Sequence, residues 1–543
     1  MKNNFKLLSV MSMIGVMTLG VTGCSNVKKG SVVEPNVISI SKLKERYTKN
    51  NPIQINFWTG FGKDITEGLD QIIADFEAEY PYIDIVHESK GGYSGLTKAI
   101  NLAITTRKYP QVALGYPDHF AQYIYNGIQC DLSGYINSSD PDLKIDINDF
   151  NSDFLKENLE LAYKNDDTST PYIMGLPFNK STEVMVYNKT LFDFYGLTVP
   201  TTWDEVKTVA EQFQTKLNAN IGGKANVGST FGKKIYVVGD ATYYSYSENN
   251  KTVVVDAQGN AVDTSKNNPI QGVDATFDFS GVAAKDFYPI GYDSQANFFI
   301  TSLRQFGSDY TKRGTTVESG YVSFDTPEAR EMINYFKDMN EKHYLGIPYT
   351  WEEESYCSNP FKALKLAMTI SSSAGLSYNI AAGAKFKIGI APVPYKSADK
   401  KFVISQGTNI AMLKANEYQN LASWLFIKYL TTEKNADFAI KTGYLPVTDS
   451  AKNSEEYQDF LNQKIGTDAD KARIAAADVA NKTYGDGTWT NFVDPAFRGS
   501  NAIRNTVESA MPMAFYGNEG TTYTADQLIQ YLYRQLNTYV ENK

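Results

Sequence analysis

Apolar positions along this chain follow two periods, and the places where one gives way to the other mark its elements. Ile53, Ile55 and Phe57 alternate with polar neighbours, which predicts a half-buried strand. Leu69, Ile72, Ile73 and Phe76 then recur at helical spacing until Pro81 stops the helix. Ile83 and Ile85 alternate again, Leu96, Ile100, Ala103 and Ile104 form a second helical face, and Gln111 to Gly115 reads as a third strand. This β-α-β-α-β order is the signature of an α/β lobe with a mainly parallel sheet. A second unit begins near Leu176, with a strand over Val184 to Tyr187 and a capping box in Thr202-Trp203-Asp204-Glu205 that starts a helix. Residues 220–295 change character: Gly, Asn, Ser, Thr and Tyr dominate, and Val253-Val254-Val255 is followed by Gln258-Gly259-Asn260, as in inserted hairpins and loops. Amphipathic helices are predicted over 327–342, 416–431 and 525–540, the last with Leu528, Leu532, Leu536 and Tyr539 on one face.

The start of the chain adds a destination. Lys2 and Lys6 precede a short apolar run from Leu7 to Leu19, and Val21-Thr22-Gly23-Cys24 follows. A charged start, a short apolar stretch and small residues before a cleavage point describe a secretory signal. A Cys as first mature residue offers a thiol for a lipid anchor, so residues 1–23 are expected to be removed and Cys24 lipidated. The polar stretch that follows, to residue 51, reads as a tether. The remaining 520 of 543 residues exceed what one core usually holds, which predicts two lobes. A net charge of −9 with no basic block argues against nucleic acid, and no later apolar run is long enough to span a bilayer. Beyond Cys24 the only cysteines are Cys130 and Cys357, which could pair but are expected as isolated buried thiols, and the three histidines are too scattered for a metal cluster. Asp149, Asn151, Asp153 and Glu160 have the spacing of a calcium loop. Phe154 stands where its sharp turn needs glycine, so a helix start capped by Ser152 or Asp153 is expected instead. Gly60-Phe61-Gly62 lacks the third glycine of a dinucleotide loop. No cofactor is expected.

Several strings together resemble the extracellular solute-binding proteins, family 1, that serve bacterial ABC importers. They are Ile53 to Trp58 with Gly60 and Gly62; Phe76-Glu77-Ala78-Glu79-Tyr80-Pro81; Leu176 to Thr182 leading to Tyr187-Asn188-Lys189; Val199 to Trp203; Ala367-Met368; and Thr442 to Val447. The resemblance runs from about residue 52 to 543 and is nearest to the glycerol-phosphate-binding and maltose-binding branches. It implies a two-lobed α/β fold of the periplasmic-binding type, with a ligand cleft between lobes joined by a multi-crossing hinge. On that pattern lobe 1 spans 52–178 with 404–480 returning to it, and lobe 2 spans 179–403 with 481–543 returning. Crossings are expected near 177–182, 403 and 480.

The same resemblance implies ligand contacts at Tyr93, at Lys180 or Ser181, at Ser372 or Ser373, at Gly407, at Tyr444 and at Arg504, with Arg498 as a rival. Where the family keeps a glutamate, this chain has Pro117, and Asp118 follows. That departure leaves an ordinary sugar at least as acceptable as a phosphorylated polyol. From the residues themselves, a sugar site needs flat apolar platforms with carboxylates and amides around them. Trp58, at the end of the first strand, is the leading platform, followed by Trp351 and Trp489, whereas Trp203 and Trp424 read as core. The expected partners are therefore a carbohydrate or polyol phosphate, the permease subunits of an ABC importer, and a membrane through the lipid; a monomer is expected. An anchored glycoside hydrolase with paired carboxylates is the competing class, but no catalytic motif supports it.

Overall fold

The computed structural model describes residues 32–219, 229–314, 317, 319–380, 386–518 and 520–536. Cys24, the signal and Tyr539 lie outside these residues.

Two large hydrophobic cores organise the described residues, with a small third cluster of Ala436, Ala439, Ala451 and Tyr457. In the first, the strands Ile53–Thr59, Ile83–Ser89 and Val112–Gly115 pair in parallel, with the first of them central. The helix Lys63–Glu79 buries Leu69, Ile72, Ile73 and Phe76 against them, and Gly92–Thr106 buries Leu96, Ile100 and Ala103. These are the positions the helical period selects. The second core gathers the strands Ile290–Tyr292, Leu345–Gly346 and Met368–Ser372 with the helices Trp203–Asn218, Gln295–Phe306 and Pro327–Glu341. The predicted capping box is present in full: Thr202 accepts from the Glu205 N–H while the Glu205 carboxylate accepts from Thr202.

Two long strands, Leu176–Asn188 and Phe402–Met412, pass from one core to the other and pair antiparallel along their middles. Through them ten of the described strands, drawn from both lobes, join one continuous sheet. The register slips between Thr408 and Asn409, opposite Pro177. A proline has no N–H for the ladder, and a bulge is where an interior strand tolerates one. At Gly407 φ is +94°, and a Cβ there would lie 1.9 Å from the Asn179 carbonyl oxygen. The two strands approach so closely that only glycine fits.

The structure differs from the sequence expectations in four places. Residues 32–51 do not hang free: Ile40–Arg46 is a helix whose Leu43 is buried in the first core, and Val33 bridges to Cys130. The third passage falls at 463–467 rather than near 480, because the helix Asp468–Asp478 buries Ala472 and Ala476 in the second core. The inserted region is a four-stranded antiparallel sheet, made of Lys233–Val238, Ala241–Glu248, Lys251–Asp256 and Phe277–Asp278, but it ends before residue 290, where the main sheet resumes. The helix Ser152–Leu159 is capped by Asn151, not by Ser152 or Asp153: Asn151 Oδ1 accepts from the N–H groups of Asp153 and Phe154. Cys130 and Cys357 are free and buried, one in each core.

Lys180 and Glu157 form a salt bridge beside the crossing, both side chains almost wholly buried. Burial pushes each towards its neutral form, and the partner's charge opposes that. Removing one member of a buried pair strands the other charge. Lys180→Met is expected to cost about 3–5 kcal/mol of unfolding free energy by urea titration, and a second change, Glu157→Leu, should recover most of it. Equal stability of Lys180→Met and the parent would contradict the pair's structural role.

Candidate ligand-binding site

Where the crossing strands leave one core for the other, a cavity of about 540 Å³ opens between the lobes. Its position follows from the topology: ligands of α/β lobes bind beyond the carboxyl ends of the strands, and here both lobes present those ends and the loops after them. From the first lobe come Gly60, Phe61, Gly62, Tyr93, Tyr116 and Tyr444; from the second come Asp293, Asn297, Tyr356, Ser372, Tyr378, Asn379 and Arg504. The crossing strands supply Ser181, Glu183, Gln406 and Gly407 at the floor. At Gly60 a Cβ would stand 2.8 Å from the Gly92 backbone, so two loops of the first lobe meet there without side chains.

Six of the expected contacts line this cavity: Tyr93, Ser181, Ser372, Gly407, Tyr444 and Arg504. The structure also separates the alternatives. Lys180 points away into its pair with Glu157, leaving Ser181 in the cleft. Ser373 is buried and accepts from the Thr182 N–H, leaving Ser372, whose hydroxyl donates to Ser181. Arg498 lies over the Tyr125 ring instead of the cavity. Asp118 stands one layer behind, in an adjoining recess that also touches Arg504, and accepts from Asn501 of the opposite lobe at 3.0 Å.

The tryptophans do not form the platform. Trp58 donates to Glu88 at 3.1 Å, and the Lys90 ammonium sits 3.9 Å from its ring centre, so cross-strand neighbours cover both its edge and its face. Trp351 donates to the Asp286 carbonyl and packs edge-on to Tyr288, while Trp489 packs against Tyr395 and Tyr484. The rings in the cavity are instead Phe61, Tyr93, Tyr116, Tyr356, Tyr378 and Tyr444. Tyr93 is fixed by a bond from the Asn179 amide at 2.9 Å and by the Tyr444 hydroxyl at 3.4 Å. Burial raises the pKa of both phenols, which stay protonated and available as donors.

Two carboxylates went unrecognised in the sequence. Glu183 lies within a strand whose neighbours are nearly all buried, and an acidic residue inside such a run was the available signal. Its oxygens accept from Tyr292 Oη at 2.7 Å and Asn297 Nδ2 at 3.1 Å. Burial pushes its pKa up to about 7; Tyr292, Asn297 and the more distant Arg504 oppose the rise, and nearby Asp293 adds to it. Asp293 is raised to about 6, also by burial, against the bond it accepts from the Cys357 N–H. Among the described residues lining the cleft, Arg504 is the cation. One guanidinium nitrogen is bonded to Asp494 and another to Asn297. Burial works against its charge, but Asp494 and Asp118 more than compensate, so it remains protonated.

Residues 71–464 match the family model described as bacterial extracellular solute-binding protein. The chain belongs to that family. The sn-glycerol-3-phosphate-binding periplasmic protein UgpB of Shigella dysenteriae is 25% identical over 441 residues, covering 76% of this chain and 78% of that protein. Among solved structures, the ABC substrate-binding protein Lmo0181 of Listeria monocytogenes, in complex with cycloalternan, superposes with a TM-score of 0.62 at 16% identity, covering 90% of this chain and 98% of the other. UgpB of Mycobacterium tuberculosis, in complex with glycerophosphocholine, gives 0.61 at 17% identity, with the same shares. The two-lobed fold is shared with both.

The buried carboxyl at Glu183 makes stability depend on pH in this solute-binding protein. The folded state holds that proton to about pH 7 and the unfolded chain releases it near 4.5. The folded form is therefore favoured below 4.5 and loses that advantage as pH rises through 7, a difference of about 3 kcal/mol. Glu183→Gln, with no such proton, is expected to be more stable than the parent at pH 8 and equal to it near pH 4.5. Urea unfolding at the two pH values measures this, and a constant difference between the proteins would refute it.

Proposed function

We propose that this chain is a substrate-binding lipoprotein which captures a carbohydrate outside the cell and passes it to the permease of an ABC importer. The observation that most supports a sugar is the lining of the cleft. Its six aromatic rings offer flat apolar surfaces for the C–H faces of pyranose rings. Serines, Asn379, Gln406, Glu183 and Asp293 surround them with partners for hydroxyls. A phosphorylated polyol would need a guanidinium free to take two oxygens, whereas Arg504 is already engaged by Asp494 and Asn297. Relatives described with cycloalternan and with maltotriose fit the same chemistry, although one described with glycerophosphocholine keeps the phosphodiester class in view.

The test is a thermal-shift screen of oligosaccharides beside sn-glycerol 3-phosphate, followed by calorimetry on Tyr378→Ala and Arg504→Ala. A saccharide at 100 times its Kd should stabilise the folded state by about 2.7 kcal/mol. Tyr378→Ala is expected to weaken it about tenfold or more, and Arg504→Ala to affect it less. Stabilisation by the phosphate alone, lost in Arg504→Ala, would replace the sugar with a polyol phosphate. Hydrolysis of an added oligosaccharide would favour the hydrolase instead; the relatives described as binding proteins support reception.

Lipid attachment at Cys24 rests on the sequence pattern before it. Cys24→Ser, expressed in a bacterium that processes lipoproteins, is expected to leave a saccharide-binding protein that no longer sediments with membranes. Membrane association of the variant in cells lacking the permease would rule the anchor out.

A further inference from the structure

Glu183 stands out from the rest of the cleft because of what its neighbours leave unused. Each carboxylate oxygen has two acceptor positions, and each receives one donor from the protein: Tyr292 Oη on one and Asn297 Nδ2 on the other. Its main-chain carbonyl is occupied by Tyr484 Oη at 2.9 Å. The side chain is held on the floor of the cavity, 2% exposed, in a strand that cannot shift without disturbing both lobes. Asn297 links it onward, since its amide oxygen accepts from Arg504 while its amide nitrogen donates to Glu183. Arg504, the cation that lines the cavity among the described residues, is thereby turned towards Asp494 and Asn297.

The geometry points to Glu183 as the residue that sets the charge class of the ligand, accepting hydroxyl donors of a neutral polyhydroxylated compound and disfavouring anions in the same place. This inference deepens the carbohydrate reading and rests on it. A sugar hydroxyl brings a proton that a carboxylate oxygen can accept; a phosphate oxygen brings only lone pairs and negative charge. Placed against Glu183 in a site shielded from water, the phosphate meets a like charge at low dielectric. The charged and titratable groups that face Glu183 sharpen this. Asp293 adds a second carboxylate, Tyr292 keeps its proton, and Arg504 is balanced by Asp494 with Asp118 behind it.

Because burial raises the Glu183 pKa to about 7, preference for neutral ligands should grow between pH 5.5 and pH 8. The experiment is calorimetry on the parent and on Glu183→Gln at both pH values, with maltotriose, mannotriose and sn-glycerol 3-phosphate as probes. At pH 8, Glu183→Gln is expected to bind the phosphate about tenfold more tightly than the parent, and to lose about tenfold on whichever saccharide the parent binds, as for one charge-assisted bond. The gap should close at pH 5.5. A Glu183→Gln protein that binds the phosphate no more tightly than the parent at pH 8 overturns the inference while leaving the carbohydrate reading intact. A parent that prefers the phosphate to every saccharide overturns the carbohydrate reading, and the effect of the substitution on phosphate affinity still decides the role of Glu183. Should the variant fail to fold, the parent decides with glucose 6-sulfate in place of the phosphate, because a sulfate ester keeps one negative charge from pH 5.5 to 8: a saccharide-to-sulfate preference that does not rise with pH overturns the inference.

Discussion

Everything else in this molecule hangs on the pairing of two strands that belong to both cores at once. Leu176–Asn188 and Phe402–Met412 are hydrogen-bonded where they leave one lobe for the other, and that join tolerates little variation. Gly407 must lack a side chain because the Asn179 carbonyl occupies the space, Pro177 requires the bulge opposite it, and Lys180 carries its charge into the interior only because Glu157 is there. A join this constrained fixes the cleft floor, so Ser181, Glu183, Gln406 and Gly407 share one surface.

The walls obey a different rule. They come from loops and helix starts of each lobe, so their positions depend on how the lobes face one another. Asp118 of the first lobe holds Asn501 of the second, and Arg313 reaches Tyr163 across the same boundary at 3.2 Å. Val317 and Ala496 of the second lobe also pack against the first core at this boundary.

Much of the first lobe was legible in the sequence because each of its elements carries an unbroken period. Leu69, Ile72, Ile73 and Phe76 could only be one face of a helix, and they are the buried residues. The cavity lining was legible where a family string carried it, as with Ser181 and Tyr444. It was illegible where side-chain direction decided the outcome. Trp58 has the type and strand position of a sugar platform, but Glu88 and Lys90, neighbours in space through strand pairing, cover it. Glu183 sits among Thr182, Val184 and Met185 and reads as one more strand residue; only Tyr292 and Asn297, more than 100 positions away, give it a role. The third crossing was misplaced for a related reason: the alanines of Asp468–Asp478 form too weak a pattern to reveal which core they enter.

The helix Ile40–Arg46 has a mechanical consequence. With Leu43 sunk in the first core and Val33 bridged to Cys130, the described residues before 51 are stapled to the first lobe. A pull on the chain upstream of residue 32 would therefore be borne by that lobe first. The second lobe, with the antiparallel sheet inserted in it, is reached by such a load only through the chain passages that join the lobes.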